Sequence, residues 1–264
     1  MPDDEDLSLT RLSIDFEIRN VDLSVYNALS LHLLENFMGD ISNHSQKLSQ
    51  INTMISIGGI CRTRFQIENF ISKLPNFNNY WTGTHYFDYL MSGGIAGVAN
   101  VISRGFEIHR SSIEIANYNN KFIPRDITSK HVFKHDFGLS WWNSDYENAV
   151  LELKENMDHS IAKYQYLGKK TNDLLKSDLS VALVYYGQEP EDQWIKLKKI
   201  LFSCYGKNIP VINILEMHQK APVIEGIYIS FVDDENSPKK GLANEWEGWD
   251  ESWLSAFNNL GLFR

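Results

Sequence analysis

The stretch that decides the fold is residues 53–62, which read Thr-Met-Ile-Ser-Ile-Gly-Gly-Ile-Cys-Arg. Its first half is a short apolar run that predicts a buried strand, and Gly58 and Gly59 predict a turn after it. Beyond Cys61, apolar residues recur at helical spacing until Pro75 ends the pattern. The sequence therefore predicts a strand, a glycine turn and a helix, with Cys61 where the strand gives way to the helix.

The same alternation of strand and helix returns in the second half of the chain. A capping box of Ser144 and Glu147 predicts the start of a long helix, and Pro190 is suited to the first turn of another. A nearly continuous apolar run, typical of a strand covered on both faces, lies at residues 179–186, and two further strands are predicted at residues 210–215 and 226–232. A closing helix is predicted after the last of them. We expect an α/β fold, a three-layer sandwich with a mostly parallel sheet.

Two domains are predicted. Residues 1–50 form an N-terminal extension, with a short strand and an amphipathic helix, that ends in a polar linker. Residues 51–264 form the α/β catalytic-like domain. Within it, residues 76–142 show weak periodicity and are expected to be loops with short elements, including a helix near residues 93–102.

Composition narrows the classes of function. The chain has 264 residues, 43% hydrophobic, and a net charge of −9, which argues against nucleic-acid binding because that requires a basic surface. Two cysteines are too few for a disulfide framework, which favours a reducing compartment, so we expect a cytoplasmic protein. The sequence has no zinc-type cysteine spacing, so we expect no metal site. No apolar run is long enough to span a membrane, and no nucleotide-loop motif predicts a cofactor. The oligomeric state stays open.

Cys61 is the strongest candidate for a functional residue. Ligands and nucleophiles of open α/β sheets gather at the carboxyl ends of strands, where Cys61 is expected. A helix N-terminus favours the thiolate, and Arg62 adds positive charge. Gly58 and Gly59 would let backbone N–H groups approach an oxyanion. The alternative is a buried structural cysteine, which is the usual fate of a free cysteine.

A cysteine nucleophile needs a histidine base and a group that orients it. His85 and His135 lie in aromatic segments, each with an acidic residue nearby, Asp88 and Asp136 respectively. His218 follows a predicted strand and would reach the same edge of the sheet. The residues alone leave the choice among the three histidines open.

Several segments, taken in order, resemble an uncharacterised bacterial family described as papain-like cysteine peptidases. The family has a Ser-Leu-Gly-x-x-Cys motif between a strand and a helix, then Phe-Asp-Trp, His-Asp-Phe and a closing Trp-x-Gly…Trp element. The corresponding segments here are Ser56–Cys61, Phe87–Tyr89, His135–Phe137, and Trp246–Gly248 with Trp253. Tyr89 stands where the family has Trp. The strand–nucleophile–helix order is also similar to the first block of SGNH-type esterases and to polysaccharide-modifying acyltransferases.

The resemblance implies a nucleophile at Cys61 and a histidine at His135, supported by Asp88 or Asp136. The resulting hypothesis is a cysteine-dependent hydrolase or acyl transferase that acts on an ester, thioester or amide carbonyl of a small molecule, peptide or glycan. The alternative hypothesis is a non-catalytic module that binds a glycan or a nucleotide-linked ligand, with Cys61 merely packed.

Overall fold

The computed structural model describes residues 51–58, 60–75, 77–80, 82–91, 93–137 and 145–262. The predicted N-terminal extension, residues 1–50, lies outside these ranges, as do Gly59 and Ser144. The division of the chain at residue 50 therefore stays a prediction.

The core of the described chain is a parallel sheet of four strands in the order β1-β6-β7-β8. Register is continuous across it, with Ile55 beside Leu183 and Leu183 beside Val211. The strands are β1 (Thr53–Ser56), β6 (Val181–Tyr186), β7 (Val211–Glu216) and β8 (Ile227–Val232). Each consists mainly of buried apolar residues, which is why the apolar runs in the sequence predicted it.

Helices cover this sheet on both faces. They are α1 (Cys61–Ser72), α2 (Gly94–Ser103), α3 (Tyr146–Lys176), α4 (Glu191–Tyr205) and α5 (Asp250–Asn259). Ala182 and Val184 pack in one core cluster with residues of α1 and α5. Leu183 and Tyr185 point to the opposite face and pack with residues of α2, α3 and α4. The predicted α/β sandwich with a parallel sheet is thus confirmed.

A second, antiparallel sheet lies in the region predicted to be loops with short elements. The helix predicted near residues 93–102 is confirmed as α2, but this sheet was not predicted. Its order is β2-β5-β4-β3. The strands are β2 (Leu90–Met91), β3 (Ile113–Tyr118), β4 (Lys121–Asp126) and β5 (Val132–Phe133). Asn119 and Asn120 both have positive φ, 51° and 59°, and form the tight turn between β3 and β4. This asparagine pair is a sequence signal for a turn between two strands, but the weak periodicity around it did not predict the strands.

The N-terminus of α3 also differs from the prediction. The Asp145 side chain caps the helix by accepting hydrogen bonds from the N–H groups of Glu147 and Asn148. The helix therefore begins one residue later than a cap at Ser144 would require. None of the helices in the described ranges is long and apolar enough to cross a membrane.

Candidate functional site

Cys61 is the first residue of α1 and lies just beyond the carboxyl end of β1. The ladder to β6 continues to the N–H of Ile57, which donates to the Val184 carbonyl at 2.9 Å. Gly58 then turns the chain with φ of 106°, a conformation that other residues adopt only with strain. Ile60 is the N-cap residue and gives the first N–H groups of α1 no side-chain hydrogen bond, and the Cys61 thiol at this helix start is partly exposed.

His135 is the histidine that reaches this thiol. Its Nε2 atom lies 3.7 Å from the Sγ atom of Cys61, although 74 residues separate them in sequence. The pairing of Leu90 with Phe133 in the antiparallel sheet explains the approach, because it places the chain just before β2 beside the chain just after β5. Tyr89 accordingly packs edge-on against the imidazole, with the two ring centroids 6.1 Å apart.

Asp136 does not orient this imidazole. Its carboxylate accepts a hydrogen bond from the Tyr164 hydroxyl at 2.6 Å and forms an ion pair with Lys163 at 2.5 Å, both on α3. The next residue, Phe137, has a left-handed φ of 67° and donates its N–H to Ser160 Oγ, also on α3. Asp136 therefore anchors the turn that contains His135 to α3.

Asp88 has a different set of contacts, also away from the imidazole. One oxygen, Oδ2, accepts from Arg64 Nε at 2.9 Å and from the His85 N–H at 2.7 Å. The other oxygen, Oδ1, is buried and has no hydrogen-bond partner in the described structure. Burial raises the pKa of Asp88 to about 6, although Arg64 opposes the shift. Within the described ranges, no carboxylate accepts a hydrogen bond from the His135 ring, so Asp88 and Asp136 are not brought to the position in which they would orient it.

The other two candidate histidines lie elsewhere. His85 is buried, its Nε2 lies 2.7 Å from Thr82 Oγ1, and its Nδ1 lies 3.5 Å from Thr171 Oγ1. Burial lowers the pKa of His85 to about 3, so this ring is neutral and structural. His218 is on the surface beside Glu235, with Nδ1 and Oε2 3.3 Å apart. The structure brings neither ring to the cysteine.

Arg62 is fully engaged in structural contacts. Its guanidinium forms an ion pair with Asp234 at 2.9 Å and donates to the carbonyl groups of Glu245 and Trp246 at 3.0 and 3.1 Å. It therefore fastens the C-terminal segment to α1 and is committed to that carboxylate. Gly58 faces open space, since a Cβ added there would meet no atom within 4 Å. The structure does not describe Gly59, the second predicted oxyanion glycine.

Electrostatics favour an uncharged pair at rest. Burial raises the pKa of the Cys61 thiol, partly offset by Lys134 and its own N–H and reinforced by Asp88. Burial also lowers the pKa of His135, and Lys134 and Lys163 add to the effect while Asp136 opposes it. Both shifts favour the neutral forms of the two groups and oppose the thiolate that the helix N-terminus and Arg62 predicted.

Three residues beside the pair were missed by sequence reasoning. Lys134 and Lys163 act on it electrostatically, and the Lys163 ammonium also lies 5.7 Å from the centre of the Tyr89 ring. Nothing in the sequence pairs Lys163 with residues near position 136, because only the fold brings α3 to that turn. Tyr89 had one signal, its place in the Phe-Asp-Tyr segment.

Comparisons of the chain with family models, with curated proteins and with solved structures found no match. In the part of the chain that the structure describes, no group of three or more His, Cys, Asp and Glu side chains could hold a metal ion. Interpretation of the site therefore depends on its own geometry.

Proposed function

We propose that this chain is a cysteine-dependent hydrolase or acyl transferase that acts on an ester, thioester or amide carbonyl. The observation that carries the proposal is the 3.7 Å approach of Cys61 Sγ to His135 Nε2, at a helix N-terminus and at the carboxyl end of a parallel strand. These are the parts that nucleophilic acyl transfer requires: a nucleophile, a base within reach, and N–H donors for the oxyanion.

The neutral pair dictates the order of proton transfer. As Sγ of Cys61 bonds to the carbonyl carbon, the thiol proton passes to Nε2 of His135. The carbonyl π electrons move to its oxygen, where the N–H groups of Cys61 and Arg62 at the start of α1 are suited to hold the oxyanion. When the tetrahedral intermediate collapses, the imidazolium gives its proton to the leaving group.

The acyl group is then a thioester on Cys61. Water makes the cycle a hydrolysis, and an alcohol or amine acceptor makes it a transfer, with His135 again taking the proton of the attacking group. The peptidase suggested by the family resemblance is the amide case of this same cycle. We further propose a cytoplasmic setting, because Cys61 and Cys204 are both free thiols.

The test is hydrolysis of p-nitrophenyl acetate, with mass spectrometry to trap an acetyl group on the protein. Cys61→Ala should abolish both the acyl-enzyme and the catalysed rate, and His135→Ala should lower kcat by about 10²- to 10⁴-fold, as general-base catalysis contributes. Cys204→Ser is the matched control, since Cys204 is an exposed thiol on α4, and it should behave as the wild type. An unchanged rate in Cys61→Ala would refute the proposal and leave the binding module.

A further inference from the structure

A segment near the C-terminus is fixed beside the nucleophile. Arg62, which directly follows Cys61, holds the carbonyl groups of Glu245 and Trp246. Gly248 permits this contact, since its φ is 84° and a Cβ there would lie 2.9 Å from Arg62 Cδ. The turn is thus fixed to the first turn of α1.

Trp246 is exposed although it is held in place. Its side chain is 52% exposed, whereas Trp194 and Trp253 are fully buried in the core. The indole packs edge-on against Phe65, with the two ring centroids 5.5 Å apart. Phe65 lies four residues after Cys61, so both project from the same side of α1 about one turn apart. A fixed aromatic pair therefore adjoins the thiol and is open to solvent.

The aromatic pair and the His135 turn are anchored to helices that pack on opposite faces of the parallel sheet. The His135 turn is anchored to α3, and α3 packs on the face that contains Leu183 and Tyr185. The Trp246 turn is anchored to α1, which packs on the other face. His135 must protonate the leaving group in the proposed reaction, so the leaving group departs on the α3 side. This leaves the α1 side, where the aromatic pair lies, for the acyl group.

We propose that Phe65 and Trp246 form the acyl-group subsite and that they select substrates with an aromatic acyl group. This inference rests on the proposed function and adds its substrate class. An edge-to-face aromatic pair offers ring faces and edges on which a further ring packs favourably. Arg62 adds no net charge to the subsite, because its guanidinium is paired with Asp234.

The first test compares p-nitrophenyl phenylacetate with p-nitrophenyl acetate. Trp246→Ala should lower kcat/KM about tenfold for the phenylacetate, the size of effect that one apolar pocket contact has on discrimination. The rate for the acetate should fall much less than that for the phenylacetate, because an acetyl group has no ring to pack against the indole. Trp246→Phe should keep most of the wild-type preference for the phenylacetate over the acetate. Phe202→Ala, which removes another exposed aromatic side chain (62%) on α4, is the control and should change neither rate.

The second test needs no turnover. Alkylation of Cys61 by iodoacetanilide and by iodoacetamide is measured by mass spectrometry in a Cys204→Ser background, with each rate divided by that of glutathione. The ratio of the two rates should favour the anilide in the parent protein and fall in Trp246→Ala, but not in Phe202→Ala. The same ratio in Trp246→Ala and its parent would overturn the subsite. A changed ratio without any ester hydrolysis would refute the proposed function and keep the subsite.

Discussion

Replacing Asp136 tests whether this carboxylate anchors the His135 turn or orients the imidazole. In Asp136→Ala the hydroxyl of Tyr164 loses its acceptor while its side chain stays buried, and Lys163 loses its ion pair. An unsatisfied buried polar group costs about 1–3 kcal/mol. The ion pair adds at most about 1 kcal/mol, because Lys163 is about a third exposed and solvent screens it.

The expected loss in the free energy of unfolding is therefore about 1–4 kcal/mol, which lowers Tm by roughly 2–16 °C in a chain of this size. Urea and thermal unfolding would measure it. Tyr164→Phe should lose about 1–2 kcal/mol, and Lys163→Met less than about 1 kcal/mol. If Asp136→Ala is as stable as the wild type, the contacts of Asp136 with Tyr164 and Lys163 do not anchor the turn to α3.

Asp136→Asn separates the two roles in the ester assay. The amide oxygen can still accept from Tyr164, so an anchoring role predicts a loss in kcat of less than about tenfold. A carboxylate that orients the imidazole costs about 10⁴-fold when it is replaced by an amide. Because the negative charge of Asp136 raises the pKa of His135, its removal should also move the acidic limb of the pH–rate profile to lower pH. A loss of the larger size would refute our account of the turn.

Three other predictions follow from buried groups. Burial raises the pKa of Asp88 in the folded state to about 6, above the ordinary 3.8. Between these pH values the native state binds more protons than the unfolded state, so the free energy of unfolding falls as pH rises. The expected decrease for this group is about 3 kcal/mol. Asp88→Asn should remove that slope in urea titrations at pH 4 and pH 7, and an unchanged slope would contradict the assignment. Gly97→Ala should destabilise by about 1–3 kcal/mol through overpacking, although alanine favours helix, because its Cβ would clash with the Ser129 carbonyl oxygen. Ala96→Gly, at an exposed position on the same helix, should cost only about 1 kcal/mol. Iodoacetamide labelling of Cys61 should rise with pH to a midpoint above the ordinary pKa of a thiol, and a plateau already at neutral pH would indicate a thiolate.

The parallel sheet could be predicted because its information is local. Each strand lies in a segment rich in apolar residues, and the helices between these segments carry apolar stripes. The position of Cys61 follows from one such run and the glycines after it. The antiparallel sheet could not be predicted in the same way, since β2 and β5 are two residues long and β4 contains Pro124, a residue that argues against a strand. Strands this short leave no periodic pattern.

The partner of Cys61 depends on that unpredicted sheet. The pairing of β2 with β5 puts Tyr89 and His135 at one end of the short ladder, and the Arg64–Asp88 ion pair ties the preceding loop to α1. Reasoning from single residues could therefore only leave three histidines open. The family motif pointed to His135, which the structure places beside the thiol, but it also implied a supporting carboxylate that the described contacts do not provide.

The charge state of Cys61 depends on the ion pairs that hold α1 to neighbouring segments. Arg62 and Arg64 lie on the first turn of α1 with Cys61, yet each forms an ion pair with a buried carboxylate, Asp234 and Asp88 respectively. Their charges are thus largely compensated, and Asp88 itself opposes ionisation of the thiol. Burial then favours the protonated thiol at rest. In the proposed reaction deprotonation accompanies attack, and His135 acts as a base in the transition state rather than as a permanent counter-ion.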